Sequence, residues 1–230
     1  MNSAQTKVYI ADLECLKDTA LFERFLRLVP GYRREKALRF RFQKDQMQSL
    51  AVGLLLKKAC ADFGIPGADE HVALGENGKP YFAEFPDVQF NLSHSEGRAM
   101  CIMSRGADAL VGCDVEKIKG DRGELAERFF MPEEAAWIKS FPDEPRRNEA
   151  FYRLWTLKEC YMKVTGRGLS LSPSDFSFIL DEMGVTLVHN GVRKEYSFWE
   201  YDFNDGYKYA CCAKNLSEKV SLEKVLLNSL

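Results

Sequence analysis

The chain has 230 residues, 46% of them hydrophobic and 29% charged, with a formal net charge of −2. These values fit a soluble globular protein of one large domain or two small lobes, with a sizeable core. They exclude a general attraction to nucleic acid or an anionic membrane, so any anion site has to be local.

Seven cysteines are an odd number and lack metal-type spacing, which points to free thiols in a reducing compartment. The opening MNSAQTK has no apolar run of the signal-peptide kind, and the longest apolar run, Ala51 to Leu56, is too short to span a membrane. A cytoplasmic protein is expected.

In chain order, Val8, Ile10 and Leu13 predict a short strand, and a helical section follows from about Leu21. YRREKALRFRFQK carries Arg33, Arg34, Lys36, Arg39, Arg41 and Lys44, interleaved with Ala37, Leu38, Phe40 and Phe42. That pattern predicts a solvated helix with its apolar side buried, and it is also the strongest local candidate for holding a phosphate. Gln46 to Phe63 reads as an amphipathic helix with Met47, Leu50, Ala51, Leu54 and Leu55 inward. GKPY, Gly78 to Tyr81, is a short loop whose proline steadies the charge of Lys79. Val88, Phe90 and Leu92 alternate with Gln89, Asn91 and Ser93, a half-buried strand ending at Ser93-His94-Ser95. His94, flanked by hydroxyls, is a candidate; His71 and His189 have no such setting.

Ala99 to Met103 and Leu110 to Glu116 predict a hairpin around a turn at Ser104 to Asp108. Asp114 and Glu116, two apart, share one face of their strand, with Cys113 and Val115 on the other. Two such acids are either solvent-exposed or a hard-cation site of the kind Mg²⁺ takes with substrate phosphates. Asp121 to Phe130 reads as a helix, and Met131-Pro132-Glu133-Glu134 starts another, with its acids at the positive dipole end. Ser140 to Arg147 is a polar loop. Phe151 to Lys163 is one helix, stopped near Gly166. Phe151, Leu154, Lys158 and Met162 share one side; Trp155, Glu159 and Lys163 form the next row, compatible with an exposed i,i+4 ion pair. GRGLSLSPSDF is irregular, and Val185–Val188, Ser197–Tyr201 and Tyr207–Ala213 read as an antiparallel set. The elements predict an α+β protein of two lobes, residues 1–105 and 106–230, each with a small antiparallel sheet packed against helices.

FNLSHS at Phe90 to Ser95, GCDVE at Gly112 to Glu116 and WTLKECYMK at Trp155 to Lys163 resemble, in this order and spacing, the two-lobed surfactin-type 4′-phosphopantetheinyl transferases. GKPY, REKALRF, the RFF that precedes Glu134, and GRGLSLSPSDF extend the resemblance over nearly the whole chain. It implies two pseudo-symmetric lobes with the active site at their seam. The implied reaction transfers the 4′-phosphopantetheine arm of coenzyme A to a serine of an apo carrier protein and releases adenosine 3′,5′-bisphosphate.

The resemblance also assigns residues. Asp114, Glu116 and Glu159 match metal ligands for Mg²⁺, with Mn²⁺ as an alternative. Lys163, His94 and Lys79 match groups on the coenzyme A phosphates; Ser93 lies in the matched loop, and Arg33 and Lys36 match basic residues near the 3′-phosphate. Glu159 is placed to take the serine proton, directly or through water, with Lys163 and His94 beside it in the catalytic set. The segment from Lys117 to Phe130 matches the carrier-docking region. Relatives of this kind suggest a monomer. Gln48 stands where relatives often carry arginine, with Lys44 one turn earlier as a substitute. Two other functions use some of the same residues: a Mg²⁺-dependent phosphohydrolase of coenzyme A or a nucleotide, and a non-catalytic coenzyme A-binding module. Phosphoryl transfer itself asks a protein mainly for positioning and charge stabilisation, which these carboxylates and cations supply.

Overall fold

The computed structural model describes residues 5–106, 109–120, 122–182, 184–214, 216 and 220–230, all but the side chain at 169. Its architecture is α+β, and the layer order follows from which strand faces are apolar. β1 (Gln5–Asp12), β4 (Val88–Ser95), β5 (Arg98–Arg105) and β12 (Ser221–Val225) form a sheet of order β12-β1-β5-β4. β4 and β5 are a hairpin closed at Glu96-Gly97, β1 runs antiparallel to β5, and β12 joins β1 in parallel. β6 (Leu110–Lys117), β10 (Tyr196–Tyr201) and β11 (Tyr207–Lys214) form a second, antiparallel sheet of order β10-β11-β6.

The two sheets lie face to face. Val8, Ile10, Met100 and Ile102 of the first pack against Val111, Cys113, Val115, Tyr209 and Cys211 of the second. The opposite face of the first sheet, with Tyr9, Ala11, Phe90 and Cys101, packs on helices. These are α1 (Thr19–Leu26) and α3 (Gln43–Asp62), with α2 (Gly31–Leu38) lying on α3. The outer face of the second sheet, with Ala210 and Cys212, packs on α6 (Glu144–Thr165), flanked by α4 (Gly123–Phe129) and α5 (Pro132–Lys139). The order is therefore helix, sheet, sheet, helix, and both sheets are buried on both faces. β2 (Val72–Leu74) with β3 (Pro80–Phe82), and β7 (Phe176–Asp181) with β8 (Gly184–His189) and β9 (Val192–Lys194), are small accessory sheets.

Several expectations need correction. β5 and β6 are not a hairpin: β5 pairs with β1 and β4, and β6 with β11, so the chain changes sheet between them. Of the expected turn there, 107 and 108 lie outside the described residues, as does 121 at the start of the helix expected to Phe130. β4 is not half-buried, because its polar side chains Asn91, Ser93 and Ser95 are buried as well. The basic helix α2 stops at Leu38; Leu38, Phe40 and Phe42 are exposed at 51%, 39% and 56%, and only Ala37 and the Arg33 stem turn inward.

The expected loop before α6 is already helix from Glu144. Asp143 caps it by accepting from the Arg146 N–H, and Pro145 sits in the first turn, where its missing donor costs nothing. The irregular segment leads into β7, and β8 belongs with β7 and β9, not with β10 and β11. The last residues, expected with the second lobe, return to the first: Val225 and Leu227 lie in the core beneath α3.

Two close contacts position the site. A Cβ on Gly112 would come 2.4 Å from the Cys160 carbonyl oxygen and 2.9 Å from the Val164 nitrogen, so glycine lets α6 rest directly on β6. A Cβ on Gly53 would lie 2.7 Å from Arg33 Cγ, so the small residue on α3 makes room for the Arg33 stem.

Candidate active site

The close approach of α6 to β6 brings Glu159 and Lys163 beside the acidic face of β6. Lys163 does not form the i,i+4 pair with Glu159 that its helical spacing allows. Its Nζ reaches across to Asp114 Oδ1 at 2.5 Å and donates also to Ser93 Oγ at 3.1 Å and the Cys113 carbonyl at 3.2 Å. Burial acts to lower the Lys163 pKa, but Asp114 and its other anionic neighbours raise it overall, so it stays an ammonium.

The carboxylates crowd one another. Burial first, then Asp114, pushes the Glu116 carboxyl up to about 7, against the pull of the Ser95 hydrogen bond and Lys163. Burial and Asp114 likewise raise the Glu159 pKa, with Lys163 opposing. Three acids thus share one ammonium, and Asp114 Oδ2 is buried without a hydrogen-bond partner. An orphaned carboxylate oxygen among like charges is the environment a divalent cation relieves. No three His, Cys, Asp or Glu side chains among the described residues form a ready-made metal cluster. A cation held by these acids would have to complete its shell with water and substrate oxygens, the mode in which Mg²⁺ commonly binds.

The cationic groups extend from the acids in two directions. On one side lies His94, exposed on β4 but in a concave setting; burial, then Lys163 and Lys36, hold its pKa below the usual range. Burial and Arg33 lower the Lys36 pKa in turn. Arg33 itself is buried, with Nε unpartnered. On the other side Lys79 crosses from the β2–β3 turn to the C-terminal end of α6. Its Nζ donates to the carbonyls of Val164 at 3.1 Å and Val111 at 3.3 Å, and burial lowers its pKa to about 8. Asn77 of the same turn donates to the Gly166 carbonyl at 3.0 Å, where left-handed Gly166 ends the helix. Lys79, Asn91, Glu159 and Lys163 line one cleft of about 270 Å³. A larger cavity of about 530 Å³ lies elsewhere, between α6 and β10, but its Arg153 and Lys208 already pair with Glu200 and Glu149.

All nine residues singled out from the sequence are placed. Asp114, Glu116, Glu159, Lys163, Ser93 and His94 gather at the seam, with Lys79 on its far side, while Arg33 and Lys36 sit together on α2. Two placements differ in detail from expectation. The Ser93 hydroxyl is buried and fully engaged, donating to Asp114 Oδ1 at 2.7 Å and accepting from Val115 N–H and Lys163. Gln48 is buried and donates to the Glu96 carbonyl at 2.9 Å, tying α3 to the β4–β5 turn, while Lys44 does lie in the first turn of α3. Sequence reasoning missed Asn91, Ser95, Gly112 and Asn77. The first two were visible as polar residues in step with Ser93, but alternation alone assigned them to solvent. Glu134, read as a helix-start acid, does cap α5 by accepting from the Met131 N–H, and it is also the buried partner of Lys158 at 2.7 Å and an acceptor from the Phe178 N–H.

Both halves of the chain match families of known proteins. Residues 110–212 match the model of the 4′-phosphopantetheinyl transferase superfamily, and residues 18–106 match that of the 4′-phosphopantetheinyl transferase N-terminal region. The chain is 34% identical over 194 residues to a 4′-phosphopantetheinyl transferase of Bacillus subtilis, covering 83% of this chain and 84% of that one. It is 31% identical over 193 residues to the 4′-phosphopantetheinyl transferase Sfp of Bacillus subtilis strain 168, with the same coverage. A 4′-phosphopantetheinyl transferase of Bacillus pumilus is 32% identical over 213 residues, 90% of each chain. The chain therefore belongs to the 4′-phosphopantetheinyl transferase superfamily.

Proposed function

We propose that this chain transfers the 4′-phosphopantetheine arm of coenzyme A to a serine hydroxyl of an apo carrier protein, releasing adenosine 3′,5′-bisphosphate. The observation that carries the reading is the seam itself, where Lys163 of α6 clasps Asp114 of β6 beside Glu116 and Glu159. Asp114, Glu116 and Glu159 would hold Mg²⁺, or Mn²⁺ with its similar oxygen preference, through carboxylate oxygens that include the unpartnered Oδ2. A bound divalent cation supplies neutralisation of the charge that develops on the pyrophosphate.

The chain's own residues do the rest. Lys163 and His94 donate to phosphate oxygens on one side of the acids and Lys79 on the other, as charge-assisted hydrogen bonds at fixed points. Arg33 and Lys36 of α2 receive the 3′-phosphate end, where the unpartnered Arg33 Nε gains an acceptor. Glu159, its pKa raised, takes the serine proton directly or through one water as the oxygen attacks the β-phosphorus and the bond to the leaving phosphate breaks. Residues from Lys117 to Phe130, next to the acidic strand, receive the carrier. The enzyme acts as a two-lobed cytoplasmic monomer; among the described residues no helix is long and apolar enough to cross a membrane.

Incubation with coenzyme A, Mg²⁺ and an apo carrier protein tests this. The carrier should gain the mass of one phosphopantetheine arm while adenosine 3′,5′-bisphosphate appears in equal amount. Cleavage of coenzyme A at the same rate with no carrier present would make the protein a phosphohydrolase and defeat the proposal.

A further inference from the structure

β4 and β6 lie side by side in parallel, yet they share no backbone ladder. The β6 amides along this edge are taken instead by side chains of β4, in a repeating register. Cys113 N–H donates to Asn91 Oδ1 at 3.0 Å, Val115 N–H to Ser93 Oγ at 3.3 Å, and Lys117 N–H to Ser95 Oγ at 3.1 Å. Each serine hydroxyl then donates to the carboxylate one residue before the amide that it accepts from: Ser93 to Asp114 Oδ1 at 2.7 Å, and Ser95 to Glu116 Oε2 at 2.8 Å. Asn91, Ser93 and Ser95 are all buried, at 6%, 6% and 7% exposure.

A backbone ladder would satisfy the same amides at a strand spacing near 4.8 Å, with nothing directed at the carboxylates. Side-chain acceptors set the strands farther apart and add a bond that fixes where each acid points. A hydroxyl can accept from an amide and donate to a carboxylate at once; alanine can do neither. We infer that Asn91, Ser93 and Ser95 form a positioning ladder that sets the two acids of β6 by gripping its amides, with Ser95 as the positioning residue of Glu116. This deepens the reading above and rests on it for the role of Glu116, though the ladder itself does not.

Ser95 is the test position, because it touches Glu116 and the Lys117 amide and has no part in the phosphate contacts proposed above. Two measurements on Ser95→Ala and Ser95→Thr separate the ladder from the function: amide hydrogen exchange resolved at Lys117, and Mn²⁺ affinity in the presence of coenzyme A. In Ser95→Ala the Lys117 amide should exchange faster while β11 amides keep their protection, Mn²⁺ should bind about tenfold more weakly, and transfer kcat should fall by a similar factor, the scale of a lost outer-shell partner. Ser95→Thr, which keeps the hydroxyl, should restore most of all three. Unchanged exchange at Lys117 in Ser95→Ala would overturn the ladder. Faster exchange with unchanged Mn²⁺ affinity would overturn the positioning role, as would a threonine variant as impaired as the alanine. Asp114→Ala serves as the control: if it also binds Mn²⁺ normally, the metal reading fails, and the exchange result still decides the ladder.

Discussion

Asp114 divides its work between its two oxygens. Oδ1 accepts from Lys163 and Ser93, while Oδ2 is buried and unpartnered, so the residue anchors the seam with one oxygen and leaves the other free. Replacing it with alanine removes both roles. We expect Asp114→Ala to abolish measurable transfer and to cost about 1–3 kcal/mol in urea unfolding, since Lys163 loses its anion but keeps some solvent access. Retention of full activity at low Mg²⁺ would contradict this. His94→Ala should leave stability nearly intact and reduce kcat/KM for coenzyme A by about 1.5–3 kcal/mol, roughly 10- to 150-fold, the range for one charge-assisted bond. A variant that melts early but keeps normal kinetics would make His94 structural instead. Lys79 gives a pH dependence. Its lowered pKa, about 8, means that the free enzyme loses this cation as pH rises through that value. The kcat/KM for coenzyme A should therefore decline above pH 8, and Lys79→Arg, charged throughout, should move the decline upward. A wild-type profile flat to pH 9 would contradict it. The sign for stability is opposite: between about 8 and the unfolded value the unfolded chain binds more protons, so Lys79 makes folding more favourable as pH rises.

Among the elements, α6 and β6 define the site by their contact, and Gly112 defines the contact. Gly112→Ala would force its Cβ into the α6 backbone, which no side-chain rotation relieves. We expect a loss of about 1–3 kcal/mol in urea unfolding, or more, with reduced transfer in the folded fraction. Wild-type stability would show that the helix can yield. The reach of α6 into the C-terminal core depends also on Lys158, whose ammonium is saturated by Glu134 and the carbonyls of Pro173 and Phe176. Glu134→Ala strands that charge and should cost about 3–5 kcal/mol, measured the same way.

The period of α6 was plain in its apolar stretch, and its polar first turns from Glu144 were not, because nothing in EPRRNEA marks an inward face. Asp114 and Glu116 were legible through strand alternation, and Glu159 with Lys163 through helical spacing. That Lys163 would choose Asp114 over Glu159 depends on how closely α6 meets β6, which spacing along one element does not carry. The β5–β6 hairpin was misread for a related reason. Two apolar runs around a turn fit a hairpin as well as they fit strands in stacked sheets. Asn91 and Ser95 look like solvent-facing residues until a neighbouring strand without a backbone ladder stands beside them.

At the scale of the molecule, the two matched halves are held by more than the packed sheets. Arg98 at the start of β5 bonds Asp12 at 2.5 Å and Asp205 at 3.2 Å and lies over the Tyr207 ring, spanning the join beside the β4–β5 turn. The last strand, β12, returns to the first sheet and pairs with β1. The candidate site is thus assembled from β4 and β2–β3 on one side and β6 and α6 on the other. In the proposed reaction, three carboxylates from β6 and α6 act as one metal site at this seam. Titration of Mn²⁺ into the protein with coenzyme A, followed by electron paramagnetic resonance, tests it directly. One Mn²⁺ should bind per chain, and Asp114→Asn, Glu116→Gln and Glu159→Gln should each weaken it by tenfold or more. Equal binding by wild type and all three variants would contradict the seam site.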